Sequence, residues 1–257
     1  MKFFIIGDVI GKPGRKIVGE KLKTIKKSYN IDAVIVNGEN SAGGLGITPE
    51  TAEELLGYGI DVITTGNHVW DKKEVIPYID NQFRLLRPLN YPPGVPGNGS
   101  IILKTNNRKW AVINLSGRVF MPTLDCPFQT IDKELEIIEK ETNIVLVDFH
   151  AEATSEKIAF GWYCDGRVSG VIGTHTHVVT ADEKILPGGT AYITDIGMTG
   201  AHHSVIGIET KQILNRFLTQ IPVRYNVAKD NVILNGVIVD VDNETGKSVS
   251  ISRFSSS

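Results

Sequence analysis

Short apolar runs that each close on a residue able to bind a metal ion constrain this chain more than any other feature. Residues 3–6 lead into Gly7-Asp8, residues 32–36 into Asn37-Gly38-Glu39-Asn40, and residues 60–65 into Gly66-Asn67-His68. Further on, residues 144–147 lead into Asp148-Phe149-His150, and residues 168–172 into Gly173-Thr174-His175-Thr176-His177. Runs this short, apolar and β-branched, read as buried strands. Between the first three lie glycine loops and helical patterns. Residues 16–28 place Ile17, Val18, Leu22 and Ile25 on one face, with lysines on a solvated one. Thr48, Pro49 and Glu50 supply an N-cap, a first helical position and a charge suited to the positive helix end, so a helix runs from there to about Tyr58. Alternation of strand, loop and helix predicts a parallel sheet with helices packed on it.

The second half is richer in hairpins. Proline and glycine crowd residues 84–99, which read as a long loop within one domain. Residues 100–104 and 109–115 form a predicted hairpin turning near Asn106-Asn107, and residues 231–253 a second one turning at residues 243–246. Helices are expected over 131–141, 154–162 and 209–219, and a strand over 190–194. The predicted class is α/β: two mixed sheets packed face to face with helices outside, in a single domain spanning residues 1–257.

Bulk properties narrow the function. With 41% hydrophobic and 22% charged residues, the chain suits a soluble protein with a sizeable core. A net charge of −2 offers no basic field for a stable nucleic-acid partner or an anionic membrane. The apolar start of the chain is too short for a signal peptide, and no run approaches the ~20 residues that span a bilayer. Cys126 and Cys164 form no metal or disulfide pattern, so a reducing, cytoplasmic setting is expected.

Ligands of open α/β sheets collect beyond the carboxyl ends of strands. One polar strand end is unremarkable: Asp8 can cap a helix, Glu39-Asn40 can be turn chemistry, Asn67 can hold a left-handed turn, and His150 can be a satisfied core histidine. Five such ends in one chain point to a shared site. Two histidines one residue apart, His175 and His177, are expected to project to the same side of an extended backbone. Carboxylate, amide and imidazole donors without thiolate fit first-row ions, with Fe or Mn foremost and Zn or Co as alternatives. The ligands are too many for one ion with an open position, so two ions sharing a carboxylate are expected.

These blocks, Gly7-Asp8, Gly38-Glu39-Asn40, Gly66-Asn67-His68, His150 and Gly173 to His177, resemble the ordered motifs of calcineurin-like metallophosphoesterases over residues 1–177. The stretch Gly7 to Arg15, together with Asn37-Gly38-Glu39-Asn40 and Asp148 to Lys157, is similar to the YmdB-like branch, nearly end to end. That resemblance implies a four-layer αββα sandwich and a bacterial phosphodiesterase acting on 2′,3′-cyclic nucleotides. It implies that Asp8, Glu39, His177 and Asn40 hold one ion, that Asn67, His150 and His175 complete the second, that Glu39 bridges, and that His68 stays free near the leaving oxygen. The chain departs from the wider superfamily. Ile10 stands where a histidine is usual, Glu39 where an aspartate bridges, and Val69 where an acidic residue follows the Gly-Asn-His block, leaving Asp71 as a substitute partner for His68.

The mechanism that follows has a metal-bridging hydroxide attack phosphorus while His68 protonates the leaving alkoxide. Two divalent ions, two carboxylates and a hydroxide leave a single positive charge, matched to a diester monoanion. A phosphomonoesterase or nucleotidase on the same site, and a non-catalytic nucleotide-binding regulator, are the competing readings. Assembly into a homo-oligomer is only the base-rate expectation. The backbone around residues 11–15 and 43–44 reads as tight turns rather than a phosphate cradle. His202 and His203 read as surface-loop residues, and Trp162, Tyr163 and Phe120 as packing residues.

Overall fold

A computed structural model describes residues 1–257. Its strands make two mixed sheets. The first is seven-stranded and contains β1 (Lys2–Ile6), β2 (Asp8–Val9), β3 (Ala33–Asn37), β4 (Val62–Thr64), β11 (Met198–Ala201), β12 (Val232–Val241) and β13 (Ser248–Ser256). The second is six-stranded: β5 (Ser100–Thr105), β6 (Arg108–Ser116), β7 (Val145–His150), β8 (Gly170–Thr174), β9 (Lys184–Ile185) and β10 (Ala191–Ile193). In the first sheet β1, β3 and β4 run parallel while β12 is antiparallel to β1. In the second, β6, β7, β8 and β10 run parallel, with β5 and β9 as antiparallel edges.

Strand periodicity explains the layers. Phe3, Ile5, Ala33 and Ile35 face Trp110, Val112, Leu146 and Ile172 in one core between the sheets. The alternate residues Phe4, Ile6, Val34 and Val36 point the other way, onto α1 (Gly11–Tyr29) and α2 (Pro49–Gly57). In the second sheet Ile113, Val147 and Phe149 pack outward on α4 (Pro127–Ile138) and α5 (Thr154–Tyr163). The result is the four-layer αββα sandwich, with both faces of each sheet covered, which is why its strands read as unbroken apolar runs.

Local signals place several elements. Thr48 caps α2, with the Thr51 N–H donating to its hydroxyl and Thr51 Oγ1 accepting from the Thr48 N–H. Asn106 and Asn107, with φ of 50° and 64°, turn the β5–β6 hairpin in the left-handed region that two-residue turns require. Other boundaries moved. α1 starts at Gly11 rather than Lys16, because the positive φ of Gly11 makes the whole turn out of β2 and Pro13 sits in the first helical turn, where no N–H is needed. α4 starts earlier than expected, with Pro127 at its first position. The short helix α3 (Val75–Ile79), the strands β9 and β11, and α6 (Thr210–Thr219) complete the chain. Of these only α6 was expected. Phe120 is 90% exposed and packs on nothing that buries it, contrary to expectation. No helix is long and apolar enough to cross a membrane.

Candidate metal centre and its surroundings

The carboxyl ends of β1, β3 and β4 in one sheet and of β7 and β8 in the other meet at one rim. There the chain buries Asp8, Glu39, Asn40 and His150 almost completely. His150 Nε2 lies 3.0 Å from Glu39 Oε1, 3.1 Å from Asn67 Oδ1 and 3.0 Å from His175 Nδ1. One N–H serves only one acceptor, so four ligand-type atoms converge on a point that hydrogen bonding alone does not satisfy. A second group adjoins the first: His177 Nε2 is 3.7 Å from Asp8 Oδ1 and 3.2 Å from the Asn40 amide nitrogen, which in turn is 3.3 Å from Glu39 Oε1. Glu39 belongs to both groups. Asp8 Oδ1 is buried without any hydrogen-bond partner. An orphaned carboxylate oxygen is costly unless something positive meets it. The buried carboxylate oxygens, the Asn67 amide oxygen and the imidazole nitrogens therefore fit divalent metal ions.

The site forces its glycine. A Cβ on Gly66 would lie 2.1 Å from the His150 ring and 2.5 Å from Glu39 Oε2, so the Gly-Asn-His turn passes the cluster only without a side chain.

Each imidazole is oriented from behind. Thr174 Oγ1 donates to Asp148 Oδ1 and stands 2.9 Å from His150 Nδ1, so the Nδ1 proton points to the threonine and Nε2 faces the cluster. His177 Nδ1 donates to the Ile206 carbonyl at 3.0 Å, again turning Nε2 inward. His175 is reversed: Nε2 meets Glu152 Oε2 at 3.1 Å, and Nδ1 faces His150. Such outer partners select the tautomer that a metal needs. His68 stands apart from both groups. Its backbone N–H donates to Glu39 Oε2 at 3.1 Å, while its Nδ1 pairs with Asp71 Oδ2 at 2.8 Å, leaving Nε2 free.

Burial and neighbouring charge set the protonation. Burial alone would raise the Glu39 carboxyl, but the His150 imidazolium beside it holds it well below the usual range; His150 is raised in turn, its own burial outweighed by Glu39. His175 is pushed down to about 3, by burial first and then by the charge on His150, and so is neutral. Burial raises Asp8 against the pull of His177 and His150. The proton shared by Glu39 and His150 has to leave before that nitrogen binds a cation.

Behind the cluster lies a second buried pair that sequence patterns did not flag. Lys157 Nζ, in α5, donates to Asp195 Oδ2 at 2.6 Å and to the Thr174 carbonyl at 2.7 Å. Asp195 also accepts from the Thr176 N–H at 3.1 Å and from the Gly197 N–H at 2.8 Å. This pair clamps the turn that carries both histidines. Their backbone is not extended: φ is 101° at His175 and 65° at His177, so the turn, not strand alternation, aims them. The expectation of two rings on one side of a strand is thus corrected, because β8 ends at Thr174. Asp148 was also missed as an orienting group, although a carboxylate inside the apolar run of β7 was a visible signal. It accepts from the Asn37 amide at 3.2 Å, a bond that crosses between the sheets. His202 and His203 are exposed, as expected of surface-loop residues.

A model of the family described as YmdB-like protein matches residues 4–254. The chain is 50% identical over 254 residues to a 2′,3′-cyclic-nucleotide 2′-phosphodiesterase of Bacillus subtilis, covering 99% of this chain and 96% of that protein. Its fold is similar to that of a solved but functionally unassigned protein of Thermus thermophilus, with a TM-score of 0.93 at 44% identity, covering 99% and 98% of the two chains. A crystal structure described as a novel phosphatase of Mycoplasma pneumoniae also superposes with a TM-score of 0.93, at 38% identity, covering 99% of this chain and 92% of that one.

Proposed function

This chain belongs to the YmdB-like protein family, and from that premise we propose that it hydrolyses phosphodiesters, 2′,3′-cyclic nucleotides foremost, at a centre of two divalent metal ions. The observation that carries the reading is the double group of ligand atoms sharing Glu39, with His68 held by Asp71 at its edge. Asp8, Asn40 and His177 would hold one ion and Asn67, His150 and His175 the other, with Glu39 shared between them. The Asn40 amide nitrogen faces two acceptors, Glu39 Oε1 and His177 Nε2, and a bound cation would turn the amide so that its oxygen faces the cluster. The mixed oxygen and nitrogen donors favour Mn or Fe over Mg or Ca.

When bound, such ions lower the pKa of a water and offset charge on the phosphoryl oxygens. The residues of the chain do the rest. His68 Nε2 faces outward from the Asp71 contact, and as the bond from phosphorus to O2′ breaks it delivers its proton to the departing oxygen. Water adds across that bond, its oxygen ending on phosphorus, and a 3′-monophosphate results; His68 regains its proton from solvent. Asp71 supplies the acidic partner that Val69 does not, keeping the proton of Nδ1 in place.

The test is reconstitution of chelator-stripped protein with Mn²⁺ or Fe²⁺, followed by assay on adenosine 2′,3′-cyclic phosphate, adenosine 3′-monophosphate and p-nitrophenyl phosphate. Metal-dependent opening of the cyclic diester to the 3′-monophosphate is expected. Faster release of phosphate from the monoesters would make the chain a phosphomonoesterase, and binding without turnover would make it a regulator.

A further inference from the structure

The rim cluster opens into a cavity of about 640 Å³ whose lining is mixed in character. It is lined by Glu39, His68, His175 and His177 of the cluster, by Ile206 beside His177, and by Ile213, Arg216, Phe217, Gln220 and Tyr225. The residues from Ile213 on come from α6 and the segment after it. Phe217 is 71% and Tyr225 42% exposed, although both are aromatic and border a polar site. The Ile206 carbonyl is the acceptor for His177 Nδ1, so this wall is bonded directly to the cluster. A cavity of this size with a polar floor, an aromatic wall and two polar tips suits a ligand that is anionic at one end and flat and apolar at the other.

We infer that α6 and the segment through Tyr225 form a base-binding subsite, in which the nucleobase of a cyclic nucleotide stacks on Phe217 or Tyr225 while its phosphate meets the cluster. The inference rests on the diesterase reading and adds to it a source of selectivity that lies away from the metal ligands. Stacking on an aromatic face tolerates every base, because each base has a π-face. The subsite therefore separates nucleotides from base-free diesters rather than one base from another. The outward apolar residues of α6, such as Leu218 at 84% exposure, do not line the cavity and have no part in it.

The experiment compares adenosine 2′,3′-cyclic phosphate with methyl ribofuranoside 2,3-cyclic phosphate, which lacks the base, in metal-loaded protein. The ratio of kcat/KM for the two substrates is expected to be about tenfold or more in favour of the nucleotide, the scale of a base–aromatic stack. Phe217→Ala should collapse that ratio through KM, Phe217→Tyr should keep it, and Leu218→Ala should leave it at the wild-type value. An unchanged ratio in folded Phe217→Ala and Tyr225→Ala proteins would overturn the subsite. If neither diester turns over, the diesterase reading fails by itself, and calorimetry with adenosine 3′-monophosphate against ribose 3-phosphate still decides the subsite. A tighter nucleotide that Phe217→Ala weakens to the base-free level would support it, and equal affinities would reject it.

Discussion

Two buried pairs of carboxylate and cation lie within one rim of this molecule, and they differ in what remains unsatisfied. Lys157 and Asp195 are closed: the ammonium has a carboxylate and a carbonyl, and the carboxylate takes two backbone N–H groups besides. Glu39 and His150 are open: the imidazole nitrogen is crowded by three acceptors, and Asp8 Oδ1 next to them has no partner. Satisfied buried charges make rigid scaffold, and frustrated ones make a place for something else to bind. The closed pair sets the geometry of the open one, since it holds the carbonyl of Thr174 and the N–H of Thr176 on either side of His175.

That contrast can be broken most directly at Glu39. Glu39→Ala should abolish metal occupancy and lower diester turnover by at least about a thousandfold, the several kcal/mol that a Lewis-acid pair supplies; full metal content by elemental analysis would remove Glu39 from the bridging role. His68→Ala sharpens the edge of the open cluster. Turnover should fall by about 10²–10³, within the span of a general acid, with bound metal unchanged. Loss of metal instead would place His68 among the ligands.

The closed pair predicts a different signature. Lys157→Ala leaves Asp195 buried and uncompensated, and chemical denaturation of the metal-free protein should show a loss of about 3 kcal/mol. Asp195→Asn added to it should restore part of that loss. Unchanged stability with lost metal would mean that the two pairs are one functional unit. The smallest effect is expected at Asp71→Asn. A neutral amide replaces a charge-assisted bond to the His68 ring with a weaker one that holds it less firmly, so turnover should drop about tenfold at full metal content, the lower end of the loss seen when a histidine's orienting partner is changed. Unchanged turnover in the folded, metal-loaded variant would detach Asp71 from the acid step.

Much of the rim was legible because its residues sit at predictable places. Asp8, Glu39, Asn67 and His150 each end an apolar run, and burial on both faces of a sheet writes such runs plainly into a sequence. The layers were legible for the same reason: odd and even positions of β1 and β3 serve two different cores. What stayed hidden depended on contacts distant in sequence. Lys157 and Asp195 are 38 residues apart and look like ordinary helix and loop charges. The cavity wall combines α6 with the rim only after the chain has closed.

His175 and His177 show where the division falls. That two imidazoles stand at the end of an apolar strand was legible from residue type and spacing, which are local facts. The sequence could not determine their direction. The resemblance already assigned the two rings to different ions, but extended backbone would have set them side by side, whereas φ is positive at both residues and places His177 near Asp8 and His175 near His150. Only the tertiary structure decides that, since a non-glycine residue stays in the left-handed region when surrounding contacts over-determine it. Here the surrounding contacts are the carbonyl of Ile206, the carboxylate of Glu152, and the buried Lys157–Asp195 pair.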